Sequence, residues 1–515
     1  DNWGATTMVS LSEVRFFYTP VQAFEPTPAD GATGVSIDAT LNWRPGREAT
    51  SHEVYLGTDA AAVADGTVSG HTVTDHSYTP ADLMLATDYF WRVDEVGDTG
   101  TYAGNVWAFS TEGSIVIDDF DSYNDDMEAE TTIWHTWIDG LTDKASGSQV
   151  GYTDAPFAER TIVHSSGQSM PLQYDNTKFA FSEATRTFDS AQNWTTRGIK
   201  SLSLWFRGAT GNAGTLYIKL NTTKVAYDGP ATDIGMAGWQ RWNIDLSTVG
   251  SVSSIRSLTI GIEGSGATGI LYIDDIRLSP KVFAPPTSNI SIAISTQANW
   301  WSQAAANREM QEIVDNAQAS VVVFNASDQD GLADWLSAHT SNGAADLLIL
   351  CGQLPDTIYA AGNTQADDSI VEKFLDAGNT IINTGDWIFY VVNGAGTNGA
   401  AGLQTIMDIP GVTVTGGDDT AVTVTAEGQE LTPSLQGFAT DRPFHLDTLE
   451  GDWSTELVLA QNTDGTLADP VVVRNSATGG RIGVFYQAAN EDNLPRGEVI
   501  SEWINNWYLD AASGN

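Results

Sequence analysis

The chain's one cysteine, Cys351, stands in DLLILCGQLPDTIY, where an apolar run ends and a glycine begins. A thiol at the carboxyl end of a buried strand can serve as a nucleophile when a cation, a helix N-terminus or a histidine stabilises its thiolate. The residues flanking Cys351 supply none of these. A nucleophile elbow also needs a glycine two positions earlier and a helix directly after, and here Gly352 and Pro355 follow with no glycine before. Cys351 is therefore expected to be a structural thiol, and it and Asp386 are only weak catalytic candidates. His339, in a predicted helix, and His445, in RPFHLDTL, are the bases this region offers.

The elements around Cys351 are read from period and length. ISIAIS, ANREMQEIVDNAQ, ASVVVFNAS, DGLADWLSAHT, ADLLILCG, SIVEKFLDAG and NTIINTGDW alternate strand and helix, the order of a parallel sheet with crossover helices. Ligands of such sheets bind beyond the carboxyl ends of the strands. That rule gathers Trp300, Trp301, Cys351, Asp386, Trp387 and Tyr390 into one expected pocket. No G-x-G-x-x-G follows the first strand, and the chain has no P-loop and no histidine pair at metal-ligand spacing. The region, 288–511, resembles the flavodoxin-like, class I glutamine amidotransferase-like group, closest to its trehalose-utilisation-type members. It departs from that group at the missing elbow, which implies that the amidotransferase chemistry is absent.

Composition bounds the rest. At 515 residues several cores are expected. With 23 Lys and Arg against 66 Asp and Glu, the formal charge of -43 repels phosphate backbones and anionic lipid, so nucleic acid is a poor partner. Hydrophobic residues at 41% and 17 tryptophans place that acidity on folded domains. One cysteine excludes an intrachain disulfide framework. No apolar run is long enough for a membrane span, and no signal-peptide pattern opens the chain, so an export signal would have been removed or would lie upstream. Residues 7–19, TMVSLSEVRFFYT, alternate like a strand. Segment 1–24 is thus expected to end an upstream β domain or to pair with a neighbouring subunit, which would build a homo-polymer.

Between these ends lie two β regions. Residues 25–112 carry short strands at regular spacing, among them ATLNWRPG, SHEVYLGTD and LATDYFWRVDEV, with Trp43 and Trp91 for a sandwich core. This stretch resembles a fibronectin type III domain, in which Tyr89 would be the corner tyrosine and the role that of a spacer. Residues 113–282 open on SIVIDDFDSY and close on GILYIDDIRLSP, with KSLSLWFRG, GTLYIKLNTT and SLTIGIEG between. They resemble a jelly-roll carbohydrate-binding domain whose first and last strands lie together and hold calcium. The resemblance implies Ca²⁺ on Asp119, Asp121 and Asp275, with Asp118 and Asp274 behind them. Six to eight oxygens from carboxylates and carbonyls suit such an ion, and strand alternation sends Asp274 and Asp275 to opposite faces. Sugar binding needs aromatic platforms with polar groups beside them. Trp134 and Trp137 of TTIWHTWIDG, Tyr152, Tyr174 and Asp175 are the expected set. Trp205, Tyr217, Trp239 and Trp242, on strand-like runs, are expected in the core.

The expected fold is therefore multidomain, two all-β sandwiches followed by a doubly wound α/β domain. Its string of modules is similar to surface proteins of aquatic bacteria. The favoured function is that of a non-catalytic, secreted or cell-surface protein that binds polysaccharide or builds a layer or fibre with neighbouring subunits. The alternative is a secreted carbohydrate-active enzyme, hydrolase or lyase, with its site in the α/β domain.

Overall fold

The computed structural model describes residues 20–165, 167–283, 288–365 and 367–513. The alternating stretch at 7–19, expected as an assembly strand, lies outside the described residues. Two compact units emerge, and no helix among the described residues is long and apolar enough to cross a membrane.

The first unit runs to Ile115 and takes in Trp194–Lys200 and Leu278–Lys281. Phe24–Thr27, Leu41–Arg44 and Ser77–Tyr78 form a three-stranded sheet. A larger sheet orders Ala32–Val35, Val106–Thr111, Asp88–Gly97, Ser51–Gly57 and Gly70–Val73. The period of two does the folding: Leu41 and Trp43 are buried while Asn42 and Arg44 between and beyond them are exposed. Trp43 meets Trp91 of the other sheet at 6.3 Å, which closes the sandwich. The Tyr89 hydroxyl accepts the Met84 N–H at 3.0 Å, a bond back to main chain a few residues upstream.

The second unit holds Val116–Asn193, Ser201–Arg277 and Val282–Asn515. One of its sheets is antiparallel, in the order Trp137–Asp139, Phe181–Gln192, Ile255–Glu263, Thr215–Leu220, Thr223–Ala226. A second sheet of 13 strands starts with Ser148–Val150, Met170–Asp175, Thr268–Ser279, Ser201–Arg207 and Trp239–Asp245. It does not stop there. Trp239 and Gln240 pair antiparallel with Val323 and Val322, so the sheet continues into Ser320–Phe324. Ser291–Ser295, Leu347–Leu350, Thr380–Gly385 and Arg481–Gln487 follow in parallel, and Val471–Asn475 and Trp453–Val458 end it antiparallel.

The parallel strands are buried on both faces, which is why their sequences read as continuous apolar runs. Leu348 and Leu350 pack with Leu332, Trp335 and Phe374, from the helices Gln329–His339 and Ile370–Asp376. Leu347 and Ile349 face the other way, toward Met310, Ile313 and Trp503 from Gln303–Asn316 and Arg496–Trp503. Where the antiparallel strands meet this body, Trp205, Trp239 and Tyr272 share a small core with Val323. A buried ion pair crosses the same junction, Arg207 Nε donating to Asp328 Oδ1 at 2.6 Å. Beside it, Asn325 Nδ2 donates to the Val163 carbonyl at 2.7 Å.

Candidate functional site

At the carboxyl end of Thr380–Gly385 the chain turns sharply. Gly385 has φ +118, and a Cβ there would lie 3.0 Å from the Trp301 indole nitrogen, so glycine is required. The turn drops Asp386 into the body, 2% exposed, with Oδ1 accepting the Trp387 N–H at 2.8 Å. Burial pushes the Asp386 carboxyl up to about 7; Arg442 opposes the rise, while Asp441 and Asp418 add to it.

Trp300 and Trp387 stand beside it on left-handed backbone, φ 71 and 49. Bulky side chains are rare there, and such strain gathers at working sites. The Trp300 carbonyl accepts the Asn490 N–H at 2.6 Å, yet the residue is 42% exposed. Trp387 and Tyr390 lie ring to ring at 4.4 Å.

The remaining wall comes from elements remote in sequence. Thr420–Val424 and Phe438–Thr440 pair antiparallel with Thr420 opposite Thr440, which sets Asp418 and Asp419 before one strand and Asp441 and Arg442 after the other. Buried Asp469 fastens this pair to the parallel sheet: it accepts the Thr440 hydroxyl at 2.6 Å and the Gln487 N–H at 2.7 Å. Arg442 lies over the Trp387 ring at 4.3 Å and bonds Asp418. The result is a cleft of about 570 Å³ lined by three aromatic rings, four carboxylates and a single guanidinium.

Of the expected pocket, Trp300, Asp386, Trp387 and Tyr390 line this cleft. Trp301 and Cys351 belong to the core beneath. The Trp301 Nε1–H donates to the Cys351 carbonyl at 3.0 Å, and Cys351 is fully buried. Burial raises its thiol pKa far above the ordinary value despite the influence of Arg496, so Cys351 fails as a nucleophile. Gly352, φ +108, serves a close approach to the Asn299 carbonyl and makes no elbow. Neither histidine is set up as its base: His339 stacks on Trp335 within its own helix, and His445 pairs with Leu467 in the small sheet. In native protein Cys351 is expected to resist thiol reagents, with its thiol appearing only on denaturation; rapid labelling of folded protein would contradict this burial.

The aromatic platforms expected on the β region do not assemble. Trp137 is fully buried, its Nε1–H donating to Asp118 at 2.8 Å. Tyr174 is 3% exposed with its hydroxyl donating to the Ala213 carbonyl at 3.0 Å. Trp134 is half-buried against Phe157 at 4.4 Å, and Tyr152 is half-buried with its hydroxyl on Glu159. Asp175 is exposed and caps its own turn, accepting the Thr177 N–H at 2.9 Å.

The acidic marks also find protein partners. The strand Ile115–Asp118 does pair with Thr268–Ser279, bringing the two ends of the region together. Asp118 accepts from Tyr123, Trp137 and Arg186. Asp119 accepts the Asp121 N–H at 3.3 Å, and Asp121 accepts the N–H groups of Gly167 and Gln168. Asp275 accepts from His164 at 2.7 Å and from Arg277 at 2.7 Å. Burial opposes its ionisation, but these partners outweigh it and hold its carboxyl low. Asp274, fully buried beside it, is pushed up to about 8 by desolvation and by the charge of Asp275. Two basic side chains take up the Asp275 oxygens an ion would need, and no group of three or more His, Cys, Asp or Glu among the described residues is placed to share a metal. As arranged, Asp119, Asp121 and Asp275 do not fit a calcium cage.

Asp418, Asp419, Asp441, Arg442 and Asn490 were not anticipated as site residues. The signal for them was the pair of turn-like acidic stretches TGGDDT and ATDR flanking two short strands.

No family model matches the chain, and no curated protein sequence matches it. Among solved structures it resembles a family 11 carbohydrate-binding module from Clostridium thermocellum in complex with a β-1,3-1,4-mixed-linked tetrasaccharide. That likeness has 13% identity and a TM-score of 0.21, covering 32% of this chain and 95% of the other. CBM27-1 of Caldicellulosiruptor saccharolyticus, in complex with mannohexaose, gives 10% identity and a TM-score of 0.20 over 28% of this chain and 97% of that one. An α-L-rhamnosidase from Dictyoglumus thermophilum gives 13% and 0.17, over 51% of this chain and 29% of the enzyme. Likenesses of this size assign neither fold nor activity to the chain.

Proposed function

We propose that this is a modular carbohydrate-binding protein acting outside the cell, and that the cleft between Trp300 and Arg442 holds the sugar. The supporting observation is Trp300: a large apolar ring kept 42% exposed on left-handed backbone, beside Trp387, Tyr390 and a row of carboxylates. Pyranose rings stack their apolar faces on such rings while acids and amides reach the hydroxyls. In this reading the first unit is a spacer of the fibronectin type III kind. The α/β region keeps the ligand position of amidotransferase-like folds without their nucleophile.

Affinity electrophoresis against a panel of polysaccharides tests it. Trp300→Ala is expected to weaken the retarding glycan about tenfold, the worth of one aromatic contact of ~1.5 kcal/mol. A wild-type chain retarded by no glycan, or a Trp300→Ala chain retarded equally, defeats the reading.

A second reading has its own observation. A carboxyl near 7, as at Asp386, beside other carboxylates is the arrangement by which one acid donates a proton while another stays ionised. A carbohydrate-active enzyme would release shortened chains and lose that release in Asp386→Asn, whereas a binder keeps its glycan intact.

A further inference from the structure

We infer that the sugar taken by the cleft carries free, protonated amino groups, so that its ligand is a hexosamine polymer in preference to a neutral or uronic acid one; this rests on the carbohydrate reading above. Three features of the cleft point the same way.

The first is charge. Asp418, Asp419 and Asp441 face one cation, Arg442, and Asp386 adds a further negative charge when it ionises. The Arg442 Nη1 bonds Asp418 and donates to the Asp441 carbonyl at 2.6 Å and the guanidinium lies on Trp387, while its Nε is buried with no partner among the described residues. A ligand therefore meets net negative charge, and a uronate would add a like charge to a partly desolvated site.

The second is an unused acceptor. Asp386 is 2% exposed, its Oδ1 is taken by the Trp387 N–H, and its other oxygen has no hydrogen-bond partner among the described residues. That oxygen opens on the cleft, and a carboxylate oxygen accepts most strongly from a cationic donor. The third is the set of rings. Trp300, 42% exposed, offers its face both to the apolar side of a pyranose and to an ammonium group, which aromatic faces attract, and Trp387 already holds the Arg442 guanidinium in that way. A neutral hexose would use the rings and leave the charge unused. A bare cation would use the charge and leave the stacking area open.

Calorimetry on the full chain decides this, with oligomers of equal length of glucosamine, N-acetylglucosamine, glucose and galacturonate, at a pH where the amines are protonated, beside tetramethylammonium chloride. The glucosamine oligomer is expected to bind at least about tenfold tighter than the glucose oligomer, with the preference shrinking as salt is added. The chain's charge of -43 attracts polycations everywhere, so the charge-neutral variant Trp300→Ala is the control. It must lose the glucosamine preference, and Asp386→Asn must lower it severalfold. A preference that survives Trp300→Ala is surface attraction and overturns the inference. Equal binding of glucose or N-acetylglucosamine oligomers, or tighter binding of galacturonate, overturns it while leaving the carbohydrate reading standing. Tetramethylammonium binding as tightly as the glucosamine oligomer removes the sugar from the inference. Binding of no oligomer brings down both.

Discussion

Replacing Arg207 by alanine is expected to destabilise the second unit by about 3–5 kcal/mol, the cost of leaving one member of a buried ion pair without its partner. Arg207 and Asp328 are 8% and 1% exposed, and their 2.6 Å bond joins the strand Ser201–Arg207 to the residue that opens the helix Gln329–His339. The pair sits where two short backbone pairings, Trp239 with Val323 and Gln240 with Val322, carry the large sheet across. With alanine in place, the Asp328 carboxylate keeps an Asn325 N–H at 3.3 Å but loses its countercharge. Burial already raises its pKa, so it takes up a proton or draws in water. The double variant Arg207→Met with Asp328→Leu is expected to recover most of the loss, because replacing both charges removes both desolvation costs. Urea midpoints of the three variants measure this. An Arg207→Ala midpoint equal to wild type would mean that the junction does not depend on the pair.

Asp386→Asn is expected to stabilise the protein, by an amount that grows as pH rises from about 4 to about 7 and then levels off. The folded carboxyl titrates near 7 against an ordinary 3.8, so the folded state holds its proton more tightly than the unfolded chain. The stability this lends is complete below the unfolded pKa and is lost as pH rises through 7. Asparagine keeps an oxygen for the Trp387 N–H and never ionises. Wild type and variant should therefore unfold nearly alike at about pH 4 and differ by about 4 kcal/mol at about pH 8, the variant being the more stable. Denaturant titrations at the two pH values check it. A variant less stable at both would show that Asp386 is a structural anchor. The expected result instead marks a site that gives up stability to keep a buried acid in place.

The elements of the α/β region were legible because both-face burial writes itself into the sequence. LLIL at 347–350 has no polar position to spare, and the helices between such runs follow their own period. Asp386, Trp387 and Tyr390 were legible for a related reason: a chain leaving a parallel strand emerges at the ligand-binding edge whatever its side chains. Asp441 and Arg442 were not. They reach the cleft because Asp469 ties a small antiparallel sheet to the end of Arg481–Gln487, a contact between residues with no shared local pattern.

The aromatic residues of the β region show the opposite failure. Trp137 and Tyr174 stand in stretches rich in polar residues, where local pattern cannot say which way a ring faces; buried bonds to Asp118 and Ala213 turned them inward. Asp119, Asp121 and Asp275 were chosen by the same kind of proximity in sequence, and Arg277 and His164 claimed the Asp275 oxygens.

By itself the sequence determined the acidic character, the succession of β and α/β regions and the strand edge at which the cleft lies. Those depend on composition and on periods of two and 3.6, which are local properties of a chain. Only the tertiary structure decided that one sheet runs from Ser148–Val150 to Trp453–Val458 through regions that read as separate, and which acids and rings share a cleft. Pairing and burial are settled between residues far apart in the chain, and a side chain's chemistry depends on the partners it finds there.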